Sequence, residues 1–167
     1  MPGGSPNKRN GFRRNPTNST LDLVVDDVAI AAMTDTGGVA GALGITSSSP
    51  SAGIGYATGA GATVTQATSR ATGVTINAIC GAITTHNASL AAEASAVFTV
   101  TNSAVAIGDV VVCSIRSGSV ALNTDVIVSA VAAGSFNITV VNGNVAAGTA
   151  ETGAIIINFA VIKAVSA

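Results

Sequence analysis

From residue 62 onward, apolar and polar positions alternate with a period of two. Phe136, Ile138 and Val140 alternate with Asn137, Thr139 and Val141, and Phe98 and Val100 alternate with Thr99 and Thr101. Alternation of this kind turns one face of a strand toward a core and the other toward water. Turn-forming pairs punctuate it at Gly108-Asp109, Ser117-Gly118, Ala133-Gly134 and Asn142-Gly143. The pattern predicts strands at Thr63–Ser69, Gly73–Ile79, Ala82–His86, Ala96–Asn102, Val110–Arg116, Asp125–Ala132, Ser135–Val141 and Ala154–Ala164. Short strands at such spacing are those of a sandwich or barrel, and eight suggest a two-sheet sandwich or jelly roll.

Two of these strands are apolar on both faces: Val110-Val111-Val112, and Ile155-Ile156-Ile157 with its continuation to Phe159, Val161 and Ile162. In an antiparallel sandwich one face of each strand normally meets water, so a strand apolar on both sides needs a second cover. Either a subunit interface or another segment of the chain would supply it. Val111, Ile156, Phe159 and Ile162 are the candidate subunit-interface residues.

The first 61 residues follow other patterns. Leu21, Val24, Val25, Val28 and Ala32 are spaced like one face of a helix, while the β-branched content favours a strand, so 21–33 reads as either. On the helical reading Asp22, Asp26 and Asp27 form its solvated side. From Thr34 to Gly61, Gly, Ser, Ala and Thr dominate without periodicity, as in a connector. Ahead of all this, residues 1–20 are rich in Gly, Pro, Asn and Ser and hold Lys8, Arg9, Arg13 and Arg14, four of the seven basic residues. That composition buries too little apolar surface to order itself. The organisation is therefore a basic flexible arm (1–20), a segment with a short helix or strand and a connector (21–61), and a β-sandwich body (62–167).

Composition sharpens the reading. The chain of 167 residues is 48% hydrophobic but only 3% aromatic and 9% charged, against roughly 25% charged in ordinary globular domains. A core of Val, Ile, Ala and Thr gives modest stability to an isolated copy, and a surface with few charges repels neighbouring copies weakly. Both favour life inside an assembly. Mean hydropathy is +0.58, yet no apolar run reaches the ~20 residues of a membrane-spanning helix, so no membrane partner is expected. No apolar h-region of a signal peptide follows the basic N-terminus, which implies assembly in a cytoplasm.

The chemistry-bearing residues are sparse. His86 is the single histidine and sits in Thr84-Thr85-His86-Asn87, which reads as a turn or surface position. Glu93, Asp109, Asp125 and Glu151 each fall near a turn signal, where acids serve local backbone hydrogen bonding or solubility. Cys80 and Cys113 lie in apolar strand-like runs and read as buried free thiols. The glycine run Gly53 to Gly61 superficially matches a phosphate-cradling loop, but a strand-like segment follows where that mechanism needs a helix. No catalytic site, metal or cofactor is expected, and aromatic interleaving limited to Phe12 gives no expectation of nucleic-acid binding.

The stretch GYATGAGATVTQATSRATGVTINAICGAIT, then FTVTNS, DVVV, SAVAAGSF and INFAVIKA, resembles the small Ala/Gly/Val-rich structural proteins of tailed bacteriophages and prophages, in the same order, over Gly55 to Ala164. The resemblance implies a non-enzymatic, all-β, trimeric virion component, either a decoration (cement) protein on the head or a fibre or receptor-binding protein. For a decoration protein the partner would be the major capsid protein. Lys8, Arg9, Arg13 and Arg14 would then be the candidate capsid contacts, on an arm reaching across the seams between capsid subunits.

Overall fold

Phe136 and Phe159 stack at the centre of the molecule's main core, their ring centroids 5.5 Å apart and their planes tilted by 48°. They come from two different sheets, and the contact defines a β-sandwich. The computed structural model describes residues 11–15, 20–25, 28–33, 39–40, 55–145 and 148–164, the first four segments as backbone only. The chain divides into two units, residues 1–55 and 56–167. Among the described residues there is no helix.

Among its described residues the second unit contains eight strands: β5 (Gly61–Thr65), β6 (Val74–Thr75), β7 (Cys80–Thr84), β8 (Ser95–Thr101), β9 (Val110–Ser117), β10 (Thr124–Ala132), β11 (Ser135–Asn142) and β12 (Ile156–Ile162). They form two four-stranded sheets, β10-β11-β8-β6 and β5-β7-β12-β9. Pairing is antiparallel except between β5 and β7 and between β6 and β8. Successive strands mostly cross from one sheet to the other, which interlocks the two layers.

The period-two pattern reads correctly through the pleat. Phe98, Val100, Phe136, Ile138 and Val140 from one sheet meet Ile83, Val111, Ile157, Phe159 and Val161 from the other in one buried cluster. Burial at roughly 25 cal/mol per Å² of these branched side chains is the main stabilising term, and the two phenylalanines supply its bulk. The expected strand Gly73–Ile79 is cut to two paired residues. After Thr75 the chain leaves the sheet edge, with Ile76 N–H still donating to Thr101 O at 3.0 Å, and crosses to begin β7.

The first unit contains β1 (Gly11–Asn15), β2 (Thr20–Val25), β3 (Val28–Met33) and β4 (Val39–Ala40) in one sheet of that order, antiparallel throughout. The helical alternative for 21–33 therefore does not hold. Leu21, Val24, Val25, Val28 and Ala32 lie on two strands paired Val25 to Val28 and Leu21 to Met33. The β-branched residues, stiff at χ1 and suited to a pleated surface, outweigh the helical spacing. Within the stretch read as an arm, Gly11–Asn15 pairs with β2, and within the connector, Val39–Ala40 pairs with β3.

Candidate functional site

The most heavily bonded polar group in the second unit is the carboxylate of Glu151. It is wholly enclosed, at 0% exposure, beside the antiparallel bridge that its backbone makes with Leu90. Oε2 accepts from Ser119 Oγ and Thr124 Oγ1, both at 2.6 Å, and from Ala121 N–H at 3.1 Å. Oε1 accepts from Gly153 N–H at 2.7 Å, and Val120 N–H is 3.2 Å from both oxygens. Burial by itself would push the carboxyl pKa up, but the Ser119, Thr124, Gly153 and Val120 donors outweigh it and hold the group at about 2.

Around this carboxylate, polar side chains fasten one loop to the next. The buried Arg70 guanidinium donates to the backbone carbonyls of Glu151 (3.0 Å), Gly153 (2.8 Å) and Ala88 and to Thr85 Oγ1 (3.3 Å). Burial lowers its pKa and the negative charge of Glu151 counteracts that. Asn142 Nδ2 donates to Leu90 O and Thr149 O, and Gln66 Nε2 to Thr72 O and Arg70 O. Among the described residues, no buried side-chain nitrogen or oxygen lacks a partner.

This arrangement is a scaffold. A carboxylate ionised down to about pH 2 and sealed from solvent does not shuttle protons at neutral pH. Asp109 is likewise engaged: it accepts from Ala106 N–H and Ala164 N–H and pairs with Lys163, and the Ala106 bond above all lowers its pKa. His86 lies in the loop that follows β7 and is half-buried. Its N–H donates to Gln66 Oε1 at 2.9 Å and its Nδ1 accepts from Ala88 N–H at 3.0 Å. Cys80 and Cys113 are free thiols, both partly rather than fully buried. Burial pushes the Cys113 thiol pKa up, with the Asp125 charge adding to it.

Surfaces are the remaining candidates. On the outer side of the β5-β7-β12-β9 sheet, Val110, Val112 and Ile162 are about half exposed. The register sets Ile162 opposite Val110 and Ala160 opposite Val112, so these side chains form one apolar strip, with Ile156 further along the same face of β12. A shallow depression of about 460 Å³ opens at Gly61, Cys80, Gly81, Ala82 and Phe159, with Arg116 at its rim. At the β9–β10 loop, Val120 and Leu122 are 63% and 96% exposed.

The pleat corrects half of the expected interface. Val111 and Phe159 point into the core, at 8% and 3% exposure, and are not surface residues. Ile156 and Ile162 lie on the outer face of the sheet, the same face as Val110 and Val112. The polar residues Ser114 and Arg116 carried the signal: they must face water, and alternation from them puts Val112 and Val110 on the same side. Arg13 and Arg14 lie on β1, in register with Asp22 and Leu21 of β2, whereas Lys8 and Arg9 fall outside the described residues.

Neither family models, curated proteins nor solved structures give a match to this chain. Among the described residues, no helix is long and apolar enough to cross a membrane.

Proposed function

We propose that the chain is a capsid decoration protein that binds the outer surface of a tailed-phage head and stabilises the shell by bridging major capsid protein subunits. The resemblance of Gly55–Ala164 to phage structural proteins gives the class. The observation that carries the reading is the apolar strip of Val110, Val112 and Ile162 on the outside of a completed sandwich. Its core is already closed beneath it, so folding of the sandwich by itself leaves the strip wet. A homotrimer would cover it.

The composition of the buried polar groups supports the same reading. Glu151, Arg70, Asp109, Gln66 and Asn142 are all spent on fixing loops, as suits a rigid module whose work is contact. A trimer multiplies each weak contact through effective concentration, raising avidity by roughly 10² to 10⁴ over a single site. The basic residues Lys8, Arg9, Arg13 and Arg14 would add electrostatic attraction to an acidic capsid surface.

Co-sedimentation with empty capsids tests the proposal, run on the full chain and on a deletion of residues 1–20. The expected result is a trimer by light scattering that pellets with capsids, with binding weakened by the deletion. A chain that leaves capsids bare and instead binds host-envelope glycans or proteins would overturn it in favour of a fibre or receptor-binding role.

A further inference from the structure

The β9–β10 loop is an apolar projection whose shape is fixed from below. Its backbone donors turn inward, Val120 N–H and Ala121 N–H onto the buried Glu151 carboxylate, and Ser119 Oγ does the same. With those donors committed, Val120 and Leu122 are left outside at 63% and 96% exposure. The neighbouring β11 exit loop, tied on by Gly143 N–H to Asn123 O at 2.8 Å, carries Val145 at 80% exposure. A loop already ordered before it meets a partner avoids the cost of ordering it on binding.

The same chain carries a surface that fits this projection. The depression of about 460 Å³ on the β5-β7-β12-β9 sheet is lined by the small residues Gly61, Gly81 and Ala82 together with Cys80 and Phe159. Arg116 stands exposed at its rim and makes no ion pair among the described residues. The projecting end carries the opposite sign. Asp125 is the second residue of β10, just past the loop, and Glu93, whose N–H donates to Asn144 O, lies beside Val145; both are exposed.

We infer that the occupant of this depression is the Val120–Leu122 tip of a second copy of the chain, with Arg116 of the receiving copy meeting the acidic residues beside the tip. Arg116 lies at the end of β9, just before the projecting loop, so the two features are neighbours on the chain; insertion is either reciprocal, in an isologous dimer, or heterologous, closing into a ring or extending head to tail. Three copies closing in a ring would satisfy every projection and every depression at once. The inference rests on the self-association in the function proposed above, and it names the two surfaces that meet.

The native Cys80 provides the test. In Leu122→Cys, exposed to oxidised glutathione, a disulfide to Cys80 of the neighbouring copy should form roughly a hundredfold faster than between free copies, because the assembly raises the effective concentration of the thiols. The linked species should disappear in Leu122→Cys/Cys80→Ala and be no faster than background in Val97→Cys, which sits on the other sheet. Equal rates for Leu122→Cys and Val97→Cys, or linkage that survives Cys80→Ala, would overturn the inference. Light scattering on Leu122→Asp, at a position exposed enough to leave folding intact, should show monomers. An assembly that persists in Leu122→Asp overturns this contact alone. A wild-type chain that is already monomeric overturns the contact and the self-association together.

Discussion

Thr124 Oγ1 donates to Glu151 Oε2 at 2.6 Å, joining the first residue of β10 to a loop 27 positions further along the chain. Ser119 Oγ reaches the same oxygen at the same distance from the other end of the β9–β10 loop. One carboxylate thus closes the loop at both ends, and its remaining acceptor capacity goes to the backbone N–H groups between them.

Glu151→Gln should therefore destabilise the sandwich far more than its near-identical shape suggests. The amide keeps one acceptor oxygen and turns an NH2 donor toward groups that are themselves donors. Hydrogen bonds to a buried charged group contribute about 1.5 to 3 kcal/mol each and unmet ones cost a similar amount, so a loss of about 3 kcal/mol is expected. Urea unfolding followed by circular dichroism gives the midpoint. Thr124→Val, which deletes one of the donors, should cost about 1 to 2 kcal/mol.

Acid should act on the same group. The folded carboxyl titrates at about 2, below the ordinary glutamate value near 4.3, so the unfolded chain takes up the proton first as pH falls. The stabilisation is fully present above about pH 4.5 and declines progressively toward pH 2, by on the order of 2 to 3 kcal/mol in all. Thermal unfolding scanned from pH 7 to pH 2 should show the melting temperature falling in that window. The fall should be shallower in Glu151→Gln, which has no proton to bind.

How far the sequence discloses this architecture depends on the range of the interaction. The alternation at Phe136, Ile138 and Val140 is local, and it placed those side chains in the core without any tertiary information. The Val110–Ile115 run offered no such contrast, since apolar residues occupy successive positions there, and only Ser114 and Arg116 fix which side faces out. Glu151 lay beyond reach. Its burial depends on Ser119, Thr124, Arg70 and Leu90, which the fold gathers from four separate loops and strand ends, while its own neighbours Thr152 and Gly153 read as an ordinary turn. The helical spacing in 21–33 misled for a related reason: in a short segment, period and β-branched content compete, and strand pairing decides.

Inward and outward residues of β12 should respond oppositely to substitution. Phe159→Ala empties a site in contact with Phe136 and should cost about 3 to 5 kcal/mol in stability. Ile162→Asp, at a half-exposed position on the outer face, should change stability by no more than about 0.5 kcal/mol. Its effect should appear in solution mass instead, because a charge at a covered apolar strip opposes association. Pairing chemical unfolding with light scattering on both variants separates the two roles.

Glycine at 118 is required by backbone geometry at the base of the projecting loop. Its φ is +89°, and a Cβ built there would lie 2.2 Å from the carbonyl oxygen of Ala154, so both conformation and space exclude a side chain. Gly118→Ala would push the loop away from the Ala154 segment and drag Ser119 and Val120, the next two residues, off the Glu151 carboxylate. The expected loss is therefore larger than the roughly 1 kcal/mol of a strained φ alone, and it should be less than additive with Glu151→Gln, since each substitution releases the same loop. A double-mutant cycle by urea unfolding measures that coupling. Full additivity of the two losses would show that Gly118 and Glu151 act on the fold independently.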